Sequence, residues 1–265
     1  ALPHYIQRAD VRRLQRKCHF SLEEAAREAR YAFFAKIAAK NRFNKIATGH
    51  HENDNAELVL LNLLRGSGPL GLSGIRPIRG DNIIRPLIDL KRSEIINYIN
   101  ELKLPYVTDA SNLDLSFRRN RIRRHLIPDL EKNYNPGIIA ALNRLGNIMR
   151  AEDDWMDSLI KPEFDNCVLI DASDCVTIDL NCMARLAVAV KRRLIRKAIF
   201  TVKKNLRRIT LQHIDAVLHL ADSGPTPGCL DLPDNIRVAV ASGSGLTIKK
   251  VVAGRSIDPQ GNADS

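Results

Sequence analysis

The chain has 265 residues, room for one large domain or two smaller ones, and its 45% apolar and 27% charged content is that of a folded globular protein. Lys and Arg outnumber Asp and Glu by 41 to 30, a net charge of +11 that favours an anionic partner such as nucleic acid, with an inert basic surface as the plain alternative. No apolar run approaches the ~20 residues of a membrane helix, no signal peptide is recognisable, and five cysteines without Cys-x-x-Cys spacing argue against a zinc knuckle or disulfide scaffold and for reduced, buried thiols in a cytoplasmic protein.

Taken in order, Tyr5-Ile6 reads as a short strand and residues 10–17 as a helix. Ser21-Leu-Glu-Glu24 is a capping box, because the serine can accept from the third helical amide while the glutamate reaches back. The helix it opens runs to about Lys40, with Ala25, Ala29, Ala32, Phe33 and Ile37 predicted to face the core and Arg27 and Arg30 at the edge of that stripe. A strand is predicted at 45–48, a turn at Thr48-Gly49 carrying His50 and His51, and a helix over 54–65 capped by Asn53 or Asp54 and ended by Gly66. His50, His51, Asp54 and Glu57 thus collect at a strand end and a helix opening, the crevice where open α/β sheets bind ligands. A loop with four glycines spans 66–74, a strand is predicted at 83–87, and a helix capped by Ser93 covers 93–102. This alternation favours a parallel α/β sheet.

Further on, Asp109-Ala-Ser-Asn112 is a turn-type cluster. It precedes the densest cationic stretch, Phe117 to His125, which holds Arg118, Arg119, Arg121, Arg123 and Arg124. An amphipathic helix is predicted over 137–160, with Ile138, Leu142, Leu145, Ile148 and Met149 inward and Pro162 closing it. The domain change is predicted there. Strands at 168–170 and 176–180, helices at 184–203 and 211–221 (capped by Thr210), and strands at 229–232, 236–241 and 246–252 follow as a small α+β module. The polar tail from Gly254 is expected to fray. Ala1 in place of a methionine suggests a start that is not the native one.

Three constellations carry chemistry. His50 and Asp54, four residues apart, can meet on one helix face and suit general acid/base work or the binding of a phosphate and an amine. As a metal pair they would want a third ligand that the sequence does not supply. The plain alternative is a satisfied turn histidine beside a capping aspartate. The arginine cluster suits bidentate phosphate binding, against a solvated helix face. The run from Lys191 to Arg208 holds nine Lys or Arg in eighteen positions, including Lys191, Arg192 and Arg193, and reads as an RNA-contacting face or a generic basic one.

Together these stretches resemble the tRNA(Ile)-lysidine synthetase family of PP-loop ATP pyrophosphatases. The resemblance rests on residues 21–31, Ala47-Thr-Gly-His-His through Glu57, Arg65-Gly-Ser-Gly-Pro-Leu-Gly-Leu72, Arg85-Pro-Leu87, Asp109-Ala-Ser-Asn112 and Arg119-Asn-Arg-Ile-Arg123. It implies an α/β fold: a truncated, Rossmann-like PP-loop ATPase domain with a parallel sheet, followed by a smaller α+β tRNA-recognition domain. It further implies ATP, with Mg2+, as the energy source. The wobble cytidine of a tRNA(Ile) with a CAU anticodon would be adenylated and then attacked by the ε-amine of free lysine, in an enzyme that commonly forms homodimers.

Carried over residue by residue, the resemblance implies catalytic roles for Arg30, His50, Asp54 and Arg119. Arg30, His50, His51, Arg65 and Gly66 would bind the nucleotide. Asp54, Asp109, Asn112, Arg119, Asn120, Arg123, Lys191, Arg192 and Arg193 would contact lysine or tRNA. Residues 1–130 would be the later part of the catalytic domain, 131–162 a helical linker, 163–252 the tRNA-recognition domain and 253–265 a tail. The sequence departs from the family pattern in three places. The Ser-Gly-Gly-x-Asp-Ser phosphate loop is not among these residues, so the chain by itself is expected to be incomplete for catalysis. Asn53 stands where an aspartate is usual and Leu58 where a threonine is usual. A thiolase of the same superfamily and a non-catalytic RNA-binding fragment are the competing readings.

Overall fold

A computed structural model describes residues 3–18, 20–107, 114–171, 175–223, 227–240 and 244–251, in two compact units, Ala1–Asp153 and Asp154–Ser265. Near the start, residues 3–10 are irregular and no strand forms at Tyr5-Ile6; Tyr5 instead donates its hydroxyl to Asn41 Oδ1 at 2.9 Å. Helix α1 (Val11–Cys18) leads to α2 (Leu22–Asn41), which starts at the predicted capping box, with Ser21 Oγ accepting from the Glu24 N–H. Arg42 ends α2 in the left-handed region at φ 57°. The predicted apolar stripe of α2 is only partly realised: Ala25 and Ala38 are buried, whereas Ala32 is exposed and Ala29, Phe33 and Ile37 are half-buried.

Strand β1 (Ile46–Ala47), helix α3 (Glu52–Leu63), a single turn α4 (Pro69–Leu72) and strands β2 (Ile78–Arg79) and β3 (Ile83–Ile84) form the frame of the site. The sheet order is β1-β3-β2, with β1 parallel to β3 and β2 antiparallel to it. The α/β character is therefore present, with an antiparallel hairpin added at one edge and turned at Gly80, φ 58°. Helix α5 (Arg92–Glu101) begins after Lys91, whose N–H donates to Glu94 Oε2, so the cap lies ahead of the predicted Ser93.

A continuous helical segment follows: α6 (Arg118–Arg121), a π-helical turn (Ile122–Leu126) and α7 (Ile127–Asn133). The wide turn has a local cause. Pro128 has no N–H to give to the carbonyl four residues back, and its ring crowds that carbonyl. Widening to an i→i−5 bond, from the Ile127 N–H to the Ile122 oxygen, accommodates it. The core of the first unit is Ala56, Val59 and Leu60 of α3, Ile122, Ile127, and Leu142 of the long helix α8 (Ile138–Cys167). Leu142 lies inward as predicted, but Ile148 on the same helix is exposed.

Helix α8 (Ile138–Cys167) does not stop at Pro162 but runs through it. Its residues to Asp153 belong to the first unit and the rest to the second. In the second unit, β4 (Val168–Ile170), β5 (Val176–Asp179), β6 (Gly228–Leu232), β7 (Ile236–Val240) and β8 (Gly245–Lys250) form an antiparallel sheet of order β4-β5-β8-β7-β6. The helix predicted over 184–203 is two: α9 (Leu180–Ala184), capped by Asp179, and α10 (Val188–Lys203). Helix α11 (Leu211–Asp222) is capped by Thr210 as expected. Leu194, Ile195, Ala198 and Ile199 of α10 pack with Val176, Ile178, Val238 and Ile248 of the sheet. Each large apolar side chain so buried contributes about 1.5–3 kcal/mol.

Contrary to the expectation of reduced thiols throughout, Cys167 and Cys182 are joined as a disulfide with their Cα atoms 5.5 Å apart. Cys18 and Cys175 are half-buried free thiols and Cys229 is an exposed one. Among the described residues no helix is long and apolar enough to cross a membrane. The turn at Asp109–Asn112 and the tail from Gly254 lie outside the described residues.

Candidate functional site

The junction between β1 and α3 is built around an unusual cap. His51, not Asn53 or Asp54, is the N-cap of α3, and Asp54 is the third helical residue. The His51 N–H donates to Asp54 Oδ2 at 3.1 Å, and the Asp54 N–H donates back to His51 Nδ1 at 3.4 Å. This reciprocal pair fixes Asp54 from behind and leaves its Oδ1 facing away from the turn. Asn53 is used elsewhere: its Oδ1 accepts from the Arg92 N–H at 2.9 Å, tying α5 to the start of α3.

Asp54 and Glu57 lie three residues apart on one face of α3, and Arg119 and Arg123 lie four apart on the segment α6 and the π turn form. The two faces meet. Arg119 donates through Nη2 to Asp54 Oδ1 at 2.8 Å and through Nε to Glu57 Oε2 at 2.8 Å. Arg123 donates through Nη2 to Asp54 Oδ1 at 3.1 Å and Glu57 Oε2 at 3.0 Å, and through Nε to Glu57 Oε1 at 2.5 Å. Two carboxylates and two guanidiniums therefore balance in charge. Glu57 is 1% exposed, so these pairs are what make its burial tolerable. Burial opposes the charge of Arg123, but the hydrogen bonds and charge of Glu57, with Asp54 behind, raise its pKa above the ordinary arginine value.

His50 sits at the edge of this quartet, its Nδ1 2.9 Å from Thr48 Oγ1. Burial pushes its pKa down to about 4; Asp54 pulls the other way, while Arg85, Arg119 and Arg27 add to the depression. At neutral pH it is an uncharged donor or acceptor among cations. His51 is lowered as well, first by burial and then by Arg92 and Arg123, against Asp54 and Glu57.

The other sequence-predicted residues fall in different places. Arg30 is on the exposed side of α2; it stands near Arg27, and it is Arg27 rather than Arg30 that acts electrostatically on His50. Helix α3 ends at Leu63, ahead of the predicted limit, and Gly66 follows in the left-handed region at φ 71°. Arg65 borders a groove of about 670 Å³ with an apolar floor of Leu61, Leu64, Ile122 and Leu126, where Arg118, Arg121 and His125 also line the wall. Asn120 is buried and holds the Asp114 carbonyl at 2.7 Å, a structural duty. Lys191, Arg192 and Arg193 pair with Asp222 (3.6 Å), Asp215 (2.7 Å) and Asp157 (3.0 Å). Asp109 and Asn112 lie outside the described residues. Arg85, whose charge acts on His50, is a residue to which sequence reasoning assigns no role in the site. Glu57 is legible at the right junction, but its partners stand far along the chain and nothing local names them.

Among the described residues no three His, Cys, Asp or Glu side chains gather as a metal site. The carboxylates at the junction each serve both guanidiniums.

Residues 1–130 match the PP-loop domain family. The strand–turn–helix with its polar junction lies within that match. Over most of its length the chain is homologous to curated tRNA(Ile)-lysidine synthases. It is 36% identical to that of Clostridium acetobutylicum over 88% of this chain and 50% of the relative. The enzyme of Caldanaerobacter subterraneus is 35% identical over 94% of this chain and 52% of the relative. That of Solibacter usitatus is 39% identical over 78% and 46%. The chain spans about half the length of the curated relatives it matches.

Proposed function

We propose that the protein carrying this chain is an ATP-dependent ligase that joins lysine to the wobble cytidine of a tRNA(Ile) with a CAU anticodon, through an adenylated base. The supporting observation is the quartet of Asp54, Glu57, Arg119 and Arg123 beside an uncharged His50. An amino acid with a side-chain amine carries both charges, and so does this site. Asp54 can take the ammonium and draw its proton away as the amine attacks. The guanidiniums can hold the α-carboxylate or the phosphate of the departing AMP, where negative charge builds. A neutral imidazole at His50 can donate to a phosphate oxygen without competing for the lysine carboxylate. The names borne by the relatives supply the substrate pair.

Within this reading the first unit carries the chemistry and the second contributes to tRNA recognition. Contact with RNA near the site falls to Arg118 and Arg121, which have no partner among the described residues, rather than to the paired cations of α10. The test is incorporation of labelled lysine into tRNA(Ile) with ATP present. Asp54→Asn is expected to remove the product almost entirely, because an amide neither orients an ammonium nor accepts its proton. Normal turnover by that variant would overturn the assignment.

A further inference from the structure

The two histidines of the turn are neighbours in sequence, but their rings are held differently. His51 Nδ1 accepts the Asp54 N–H, so its neutral ring carries its proton on Nε2, and that nitrogen lies 3.4 Å from Asp54 Oδ2. The ring N–H of His51 is thus directed at a group of the protein itself. The His50 ring has Thr48 as its hydrogen-bond partner among the described residues, Oγ1 to Nδ1 at 2.9 Å. Thr48 is well placed to fix a neighbour. Its backbone prolongs the pairing of β1 with β3: the Ile46 N–H donates to the Asn82 carbonyl at 2.7 Å, and the Thr48 N–H to the Ile84 carbonyl at 3.0 Å. Branching at Cβ restricts its side chain further.

The direction of that hydrogen bond follows from counting protons. An uncharged imidazole has a single N–H, and the partner of one nitrogen decides which of the two carries it. With the proton on Nδ1, Thr48 Oγ1 would accept it, and the hydroxyl's own proton would have no acceptor among the described residues at a half-buried position. With the hydroxyl donating, Nδ1 accepts, both groups at the contact are used, and the ring proton lies on Nε2. We infer that Thr48 is a positioning residue of the site: its hydroxyl donates to His50 Nδ1, fixes the ring and keeps the ring proton on Nε2, so that His50 serves the reaction as a hydrogen-bond donor and not as a base. The kinetic consequence rests on the ligase reading above; the pairing itself does not. Labour at the site is then divided. Nδ1 is engaged and Nε2 already bears hydrogen, so His50 offers no lone pair to the ammonium of an incoming amine, and proton acceptance is left to Asp54. The charges of Asp54, Arg85 and Arg119 act on this same ring, so the fixed donor stands among them.

Two measurements test this. The first needs no substrate: NMR at neutral pH of the 265-residue chain carrying isotope-labelled histidine, with the His50 signals identified by their loss in His50→Gln. Nε2 is expected to bear the proton and Nδ1 to show the shift of a hydrogen-bonded acceptor. Thr48→Val, which keeps the shape and the backbone N–H, should move Nδ1 to the position of a free acceptor, and Thr48→Ser should leave it in place. The second is lysine incorporation into tRNA(Ile) by the full protein. Thr48→Val should lower kcat about tenfold with little change in KM for lysine, and Thr48→Ser should restore most of the loss. In a His50→Gln background Thr48→Val should cost nothing further, because Thr48 acts through that ring. A residue that merely holds the strand end would give the same loss in both backgrounds. The inference is overturned if the His50 proton sits on Nδ1, if the Nδ1 signal ignores Thr48→Val, or if the kinetic loss persists undiminished without His50. The expected NMR pattern with no lysine incorporated by the parent protein keeps the pairing and removes the ligase reading. Incorporation by a parent whose His50 proton lies on Nδ1 removes the pairing alone.

Discussion

Glu57 is almost wholly inside the protein yet remains a hydrogen-bond acceptor for two guanidiniums, so its replacement has two effects that can be separated. Glu57→Gln removes a charge that Arg119 and Arg123 share, leaving Asp54 alone opposite two cations. Breaking a buried pair from one side typically costs about 3–5 kcal/mol, somewhat less here because both arginines keep partial solvent contact. Urea unfolding should show a loss of about 2–4 kcal/mol. His50 offers a test by pH. Its folded pKa of about 4 lies below the ordinary 6.5, so between those values the unfolded chain takes up a proton that the folded one refuses. The contribution of His50 is therefore complete above about pH 6.5 and is lost as the pH falls towards 4. Melting temperatures of His50→Gln should lose less than the parent over this window; parallel curves would argue against a neutral, desolvated imidazole.

At the level of elements, the turn after α4 depends on one glycine. Gly74 has φ +68°, and a Cβ there would collide with Asn55 Oδ1. That oxygen accepts the Ile75 N–H, and the Asn55 amide reaches Asn143 Oδ1 at 2.6 Å. Gly74→Ala is expected to destabilise by about 2 kcal/mol or more in chemical denaturation. What the sequence made legible was local. The Ser21 box and the Thr210 cap need only three or four residues to declare themselves, β1 stands out as a short apolar run, and the hairpin of β6 and β7 carries its own alternation. The rest depended on distance. Asp54 and Glu57 meet Arg119 and Arg123 across more than sixty residues, and Cys167 meets Cys182 only because α8 and α9 bring them together. Pro162 misled because a long helix held by packing tolerates one missing hydrogen bond. The break between α9 and α10 was hidden because Arg185-Leu-Ala187 contains neither glycine nor proline.

For the molecule as a whole, the surplus of +11 is not spread evenly in its availability. On α10 the cations Lys191, Arg192 and Arg193 are bound to aspartates of their own unit, as are Lys203 and Arg208 to Asp234. In the first unit Arg118, Arg121, Arg27 and Arg79 have no acidic partner among the described residues. A polyanion releases counterions in proportion to the cations that reach it. Anisotropy titrations of tRNA at several salt concentrations should therefore give a log–log slope reduced by about 1.5–2 when Arg118 and Arg121 are both changed to Gln. Arg192→Gln should leave the slope nearly as it was. Equal reductions would return α10 to the RNA interface.

The π turn has a further implication. Ile122 and Ile127 are five residues apart and both lie in the core of the first unit, at 4% and 6% exposure. A regular α-helix would set such a pair about 140° apart around its axis. The wide turn brings them to one side, and it carries Arg123 while doing so. In evolutionary terms the segment behaves as a helix with one residue inserted. Loss of one residue between Arg123 and Ile127 would leave that pair four apart, on one face of a regular α-helix, but would return the clash of Pro128 with the carbonyl four residues back that the wide turn relieves.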